Sequence, residues 1–326
     1  MLPKSIIPVI VVFGPTAAGK TDFLLNLSKV SEIINSDSLQ VYRYMDIGTA
    51  KPDAKTLSTV KHHLIDFLDP NEEFSTGDFV HKADELCAEI FARGKVPVIS
   101  GGNAFFLINF IKGLPQTPKS NSAVRKQVEE ELRTKGIESL SCKLEKIDPD
   151  YFSKISRNDT YRITRALEIY YSTGKTVSHF KIPETPRSGY DFLFIGLTRE
   201  RKELHERISK RVDLMFENGL YDEFLKLREM GYGLSSPGMS AIGYKEFFEL
   251  DRGQIDCGQS SRQLDEKPLR DLGNIKELIK KNTRQYAKRQ ITFFKKIDNV
   301  IWETPDNSAA ILRKVGEFLN LHRIVL

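Results

Sequence analysis

Three observations in this chain predict an α/β fold. Short apolar runs alternate with helical stretches, the signature of a mostly parallel sheet covered by helices. The first run leads directly into Gly14-Pro15-Thr16-Ala17-Ala18-Gly19-Lys20-Thr21, which matches G-x-x-x-x-G-K-[ST] and so specifies a P-loop NTPase-like sheet. Between Gly113 and about Gly189 the strands stop and amphipathic helices follow one another, which reads as an α-helical insertion domain.

The strands are expected at Ile6–Phe13, Ile33–Asn35, Val96–Ser100, Phe192–Thr198 and Val300–Trp302, each short and apolar. Helices are expected between them at Thr21–Ser28, Gly77–Arg93 and Glu203–Arg228. Pro115, Pro118 and Ser120 open the break into the insertion, and Pro183 to Pro186 close it. The core domain is therefore 1–113 with 190–326, and the insertion is 114–189. The polar segment from Asp251 to Asn274 reads as a surface loop.

Composition narrows the class only a little. The 326 residues carry 49 Lys and Arg against 44 Asp and Glu, and a net charge of +5 is too small to argue for nucleic acid. Its distribution says more: Lys276 to Lys296 holds eight basic residues and one acidic one. Lys281, Arg284, Lys288 and Lys295 follow one side of a helix there, with Leu278, Ala287, Ile291 and Phe294 turned inward. Charge alone leaves that face as readily solvated as bound to RNA.

Cys87, Cys142 and Cys257 are odd in number and form no C-x-x-C pair, which disfavours a disulfide framework or structural zinc and fits a reducing cytoplasm. The adjacent His62 and His63 would point to opposite faces of a strand and read as structural, the alternative being that one of them touches the site. No N-terminal signal pattern is present, and no apolar stretch approaches the roughly twenty residues a bilayer crossing needs.

The glycine-rich loop carries the chemistry. Its successive N–H groups and the following helix N-terminus cradle two linked phosphates, Lys20 adds a point charge, and the Thr21 hydroxyl can reach a magnesium ion. A nucleotide hydrolase also needs an apolar strand ending in an acid to organise its metal. Val96–Ser100 instead runs into Gly101-Gly102-Asn103. The first well-placed acid is Asp37, beyond Ile33-Ile34, at the carboxyl end of a strand. Spacing leaves it as a metal ligand, a general base or a helix cap. On the helix beginning at Glu203, Arg207 and Arg211 lie four apart and share a face, behind an apolar stripe of Leu204, Ile208, Val212 and Met215. In the insertion, Asp159 can cap a helix whose apolar stripe is Ile163, Leu167 and Tyr170, with Arg162 and Arg165 on another face.

An ordered series of motifs extends the loop across almost the whole chain. It comprises Ser36-Asp37-Ser38-Leu39-Gln40-Val41-Tyr42-Arg43, Met45-Asp46-Ile47-Gly48-Thr49-Ala50-Lys51-Pro52 and His62-His63-Leu64-Ile65-Asp66. Arg157-Asn158-Asp159, Arg162 and Arg165-Ala166-Leu167-Glu168 follow, then Ala241-Ile242-Gly243-Tyr244-Lys245-Glu246 and Thr283-Arg284-Gln285-Tyr286-Ala287-Lys288-Arg289-Gln290. This series resembles the tRNA dimethylallyltransferase (isopentenyl-tRNA transferase) family.

The resemblance implies transfer of a dimethylallyl group from dimethylallyl diphosphate to the exocyclic amine of the adenosine 3′ to the anticodon, with diphosphate released. It implies that Asp37 is the general base and that Thr21 helps hold Mg2+ on the donor. Gly14 to Thr21 would bind the diphosphate together with Arg207 or Arg211. tRNA would contact Asp37, Ser38, Leu39, Gln40 and Asn103 at the core. Arg125, Tyr161, Arg162, Ile163, Thr164 and Arg165 would contact it from the insertion, and Arg284, Lys288 and Arg289 from the late basic helix. A cytoplasmic protein, active as a monomer and away from membranes, is expected.

The chain departs from the family pattern at several points. Asn103 stands where relatives have Thr, Phe106 where they have Tyr, Tyr44 where they have Gly, and Phe293 where they have Trp. Two rival readings share part of the pattern. A nucleoside or metabolite kinase would explain the loop but neither the basic helix nor the insertion. A non-catalytic tRNA-binding protein would explain the basic face but leave Lys20 and Asp37 without a use.

Overall fold

A computed structural model describes residues 6–115, 117, 121–180, 183–249 and 267–324, with the side chains of 267–270 left undescribed. Pro118, Ser120 and most of the segment read as a surface loop, 251–266 with Cys257, lie outside the described residues. The chain divides into two compact units, Met1–Ile108 with Ser188–Leu326, and Asn109–Arg187.

In the larger unit six strands form one parallel sheet: β1 (Ile7–Phe13), β2 (Ser31–Asn35), β3 (His62–His63), β4 (Val96–Gly101), β5 (Tyr190–Leu197) and β6 (Ile301–Glu303). Their order is β3-β2-β4-β1-β5-β6, so every neighbouring pair requires a crossover, the demand a parallel sheet makes. β1 lies between β4 and β5, with Val12 opposite Ser100 on one side and Ile195 on the other. Nearly every residue of β1, β2 and β4 is buried, as strands covered on both faces must be.

Alternation sends Ile10, Val12, Ile33, Val96, Val98, Ile195 and Leu197 to a core shared with α1 (Lys20–Leu25) and with Ile311, Val315 and Leu319 of the C-terminal helix Ser308–Leu321. A second helix, Thr76–Ala92, packs on β1, β2 and β4, burying Phe79, Ala83, Cys87 and Ile90. Ser75 opens it with a reciprocal capping box to Asp78. Within the sheet, the β2 residue Glu32 is buried and bonded to His63 Nε2 at 2.7 Å and Arg93 Nη2 at 2.8 Å. His63 therefore has the structural role expected of it.

The stretch expected as one helix from Glu203 to Arg228 is two, Arg201–Glu217 and Leu220–Glu229. Gly219 parts them at φ +91°, a left-handed conformation that ends the first helix while the apolar period resumes beyond it. The late basic helix spans Lys267–Phe294, so residues 267–274, read as loop, are helical. Its inward face buries Ile275, Ile279, Ala287, Gln290 and Phe294.

These helices pack on the Val41, Met45, Tyr244 and Phe247 cluster, where one carboxylate does much of the joining. Glu223 accepts hydrogen bonds from the N–H groups of Asp46 (2.9 Å), Ile47 (2.8 Å) and Gly48 (3.0 Å) and from the Tyr244 hydroxyl (2.6 Å). A Cβ at Gly48 would sit 2.4 Å from the Tyr244 ring, so this turn needs glycine. Tyr44, one of the departures from the family pattern read from sequence, holds φ +67°, a conformation costing a non-glycine residue about 1–2 kcal/mol. Phe106 is buried and stacks on Phe79, an apolar contact that uses no phenolic hydroxyl.

Among its described residues the smaller unit forms no strand, with α-helices at Ser122–Ile147, Pro149–Phe152 and Thr160–Thr173. The first is broken at Gly136, where φ is +73°. Val128, Leu140, Leu144, Phe152, Ile163 and Leu167 form its core. Ile163 is fully buried there, which removes its side chain from any direct RNA contact. Among the described residues no helix is long and apolar enough to cross a membrane.

Candidate active site

The site forms where β1, β2 and β4 end. Asp37, beyond β2, and Thr16, Lys20 and Thr21, beyond β1, line one cavity of about 180 Å³ with Gln40, Gly101, Gly102, Arg207, Arg211, Tyr286 and Gln290. The carboxyl ends of parallel strands gather ligands in this way because the loops there are freed from the ladder. An adjoining open hollow of about 600 Å³ shares Ala50, Pro52 and Arg211 with it but lacks the phosphate loop and Asp37.

Gly14 starts the loop close against β5, where a Cβ would lie 2.3 Å from the Leu197 carbonyl oxygen. Ala17 at φ +64° and Gly19 at φ +100° then turn the chain into α1. Arginines brace the outside of the loop. Arg207 Nε donates to the Ala17 carbonyl at 2.9 Å, and Arg199 Nε donates to Ala18 at 3.1 Å while pairing with Glu203 and Asp306. Arg211 donates to Thr16 Oγ1 at 3.2 Å. Burial, then the neighbouring Arg207, lower the Arg211 pKa, against the pull of Asp22. A cation held down in this way gains most from an arriving anion.

Lys20 Nζ donates to the Gly14 and Pro15 carbonyls, both at 2.9 Å. Burial, then Arg211, pull its pKa down to about 8, with Asp37 opposing. Asp37 Oδ1 accepts from Leu39 N at 2.9 Å, and its side chain caps the turn it starts. Burial raises its pKa, partly offset by the Leu39 hydrogen bond and by Lys20. A raised carboxylate that remains available is suited to accept a proton.

The family-implied residues divide into three groups. Thr16, Ala17, Gly19, Lys20, Thr21, Asp37, Gln40, Arg207 and Arg211 share the cavity. Asn103 is half-buried beside it, and its Oδ1 accepts from Phe105 N and Phe106 N. That is the work of a helix cap, which Asn performs as well as Thr. Arg284 is half-buried and donates to Ser209 Oγ at 3.4 Å, while Lys288 and Arg289 are exposed. In the smaller unit Tyr161 is 76% exposed, Arg162 pairs with Asp159 at 2.9 Å, and Arg165 pairs with Glu168 at 3.0 Å.

Arg199, Tyr286 and Gln290 were not singled out from sequence, and His62, read there as structural, lines the cavity. Tyr286 and Gln290 stood inside a motif whose basic residues drew the attention. His62 Nδ1 lies 2.8 Å from the Val60 carbonyl, and burial lowers its pKa, so it is an uncharged wall.

Among the described residues no three His, Cys, Asp or Glu side chains converge as a metal site. The exposed Thr21 hydroxyl beside Asp22 is the kind of sparse anchor that Mg2+ accepts, since that ion keeps several waters and takes phosphate oxygens from its substrate.

Known proteins carry the same architecture. A family model described as IPP transferase matches residues 40–297. The tRNA dimethylallyltransferase of Acetivibrio thermocellus is 42% identical over 302 residues, 91% of this chain and 92% of its own. That of Borrelia turicatae is 39% identical over 92% of this chain and 95% of its own. Among solved structures, the full-length tRNA isopentenylpyrophosphate transferase of Bacillus halodurans superposes with a TM-score of 0.66 at 34% identity, covering 97% of this chain and 99% of its own. A eukaryotic dimethylallyltransferase acting on tRNA gives a TM-score of 0.73 at 29% identity, over 91% and 74%.

Proposed function

The chain belongs to the IPP transferase family, and from that premise we propose how its own residues carry the family's reaction. The enzyme transfers a dimethylallyl group from dimethylallyl diphosphate to tRNA, at the exocyclic amine of the adenosine 3′ to the anticodon. The observation that supports our assignment of roles is the phosphate loop and Asp37 facing one cavity, with no acid at the end of β4.

The loop amides, Lys20 and Arg211 take the diphosphate. Arg211 is the donor-binding arginine of the pair, since Arg207 Nε is engaged with the Ala17 carbonyl and acts by bracing the loop. As the amine nitrogen bonds to the allylic carbon, that carbon's bond to diphosphate oxygen breaks and the leaving group takes the electron pair. Lys20 and Arg211 hold the charge that builds there. The amine of adenine gives up its proton to Asp37, general-base help typically worth about a hundred- to ten-thousandfold. Thr21 would hold Mg2+, which would supply further charge neutralisation to the diphosphate.

The target base reaches this cavity only by leaving its stack, which costs a few kcal/mol and least in a single-stranded loop. Arg125, Tyr161, Arg162, Thr164 and Arg165 of the smaller unit grip the anticodon arm, joined by Arg284, Lys288 and Arg289. The protein works in the cytoplasm as a monomer.

The test is a transfer assay with Mg2+, labelled donor and an anticodon stem-loop, without ATP. Label should reach the adenosine 3′ to the anticodon, and Asp37→Ala should lose at least about a hundredfold in single-turnover rate while still binding tRNA. Near-normal turnover by that variant would sink the assignment of the base.

A further inference from the structure

Gln290 is a buried polar side chain, 3% exposed, on the inward face of the Lys267–Phe294 helix. It makes two hydrogen bonds to backbone, in opposite senses. Its Oε1 accepts from Thr16 N in the phosphate loop at 2.9 Å. Its Nε2 donates to the Gly102 carbonyl at 2.8 Å. A side-chain amide accepts with its oxygen and donates with its nitrogen at the same time.

Both backbone segments line the reaction cavity. Thr16 belongs to the wall that holds the donor. Gly102 belongs to the wall that holds Asp37: a Cβ built at Gly102 would lie 3.8 Å from Asp37 Oδ2 and 2.4 Å from Gln290 Nε2. Gly102 is therefore the residue that lets the amide approach so closely. One turn before Gln290, the Tyr286 hydroxyl lies 3.4 Å from the same Gly102 carbonyl, which gives that wall a second tie to the helix.

We infer that Gln290 is a positioning residue for the transfer, setting the separation between donor loop and Asp37 wall through its two backbone hydrogen bonds. The inference rests on the transferase reading above. Group transfer needs reacting atoms held to about 3–3.5 Å, and a displacement of about 1 Å can cost a hundredfold. A strut between the walls thus acts on the rate of the bound complex, not on either affinity.

Gln290→Glu keeps the acceptor for Thr16 N and sets a carboxylate oxygen against the Gly102 carbonyl. Gln290→Met fills similar space and removes both bonds. Single-turnover rates at saturating donor and stem-loop should fall at least about tenfold in both variants. Dissociation constants for inorganic diphosphate and stem-loop should stay within threefold. In an Asp37→Ala background the further loss from Gln290→Met should shrink to less than twofold, because the geometry it protects no longer matters. Gln290→Asn, shorter by one methylene, cannot span both partners and should resemble Met.

Rates within twofold of wild type would overturn the inference. So would an equal loss in both backgrounds, or a loss that tracks melting temperature across the three variants. Weakened diphosphate binding at unchanged saturated rate would make Gln290 a binding strut and overturn it as well. Failure of the unmodified protein to transfer label would remove the transferase reading, and the inference with it.

Discussion

Raising the pH from 7 to 9 should weaken donor binding, and the placement of Lys20 sets the amount. Burial and then the Arg211 guanidinium bring its pKa from 10.5 to about 8, while Asp37 pulls the other way. With that pKa, roughly nine-tenths of the free protein carries the ammonium at pH 7 and roughly one-tenth at pH 9. A bound diphosphate supplies the missing counter-charge and lifts the pKa, so binding above pH 8 takes up close to ~1 proton. The sign is that of a lowered base: the charged form is present below about 8 and lost as the pH rises through it.

If binding needs the ammonium, affinity should fall about tenfold between pH 7 and 9, or about 1.4 kcal/mol. An ordinary lysine would leave it flat over that range. Guanidinium groups do not deprotonate over this range. Tyr286 is held above its ordinary range by burial and by Asp37, and the terminal phosphate pKa near ~6 is already passed. Calorimetry with dimethylallyl diphosphate and Mg2+, in two buffers of different ionisation enthalpy, reads affinity and proton uptake together. Lys20→Arg, which keeps its charge, should remove the pH dependence. Affinity constant within twofold, with no proton uptake at pH 9, would refute the argument.

Three further outcomes follow from contacts described above. Glu223→Ala leaves three backbone N–H groups and the Tyr244 hydroxyl without their acceptor, and should destabilise the fold by on the order of 3 kcal/mol in denaturant titration. Burial alone would raise the Glu32 pKa, but hydrogen bonds from Arg93 and His63 overcome it and hold the group near 2. That stabilisation, on the order of 3 kcal/mol, should be complete above about pH 4.5 and vanish as the pH falls toward 2. Glu32→Gln should flatten the acid limb of a stability–pH curve by about one proton. Reversing charge at Arg125 and Arg165 together should weaken stem-loop binding at least about tenfold at low salt, with diphosphate affinity unchanged in the same titrations.

Legibility in the sequence followed the range of the interaction. The strand–loop–helix unit around Lys20 is coded within a few residues of itself, and five strands were readable from their apolar runs to within about two residues. β3 was not assigned, because two residues such as His62-His63 carry no periodicity. The division of Arg201–Glu217 from Leu220–Glu229 was hidden because apolar spacing runs on across Gly219. Gln290 was hidden differently. Thr16 and its partner lie 274 positions apart, and no local rule couples an amide in a basic helix to a glycine-rich loop. Glu223 shows the same limit: its role as clamp exists only once the Asp46–Gly48 turn has been brought to it.

Which strand carries the acid decides what a phosphate loop can do. A hydrolase places it beside the loop strand, where it organises the metal. Here β4, the neighbour of β1, ends in Ser100-Gly101, and the acid waits beyond β2, the strand after that. Strands lie about 4.8 Å apart, so two spacings put the Asp37 strand end about 10 Å from the loop strand. That is the right span for a five-carbon group on the donor, plus an attack distance of about 3 Å to an acceptor amine. The glycine pair under that gap keeps it narrow: a Cβ at Gly101 would strike Ser36 Oγ at 2.4 Å, and one at Gly102 would strike Gln290 Nε2 at 2.4 Å. Any side chain there must push the acid wall and the strut apart, and the reacting atoms with them.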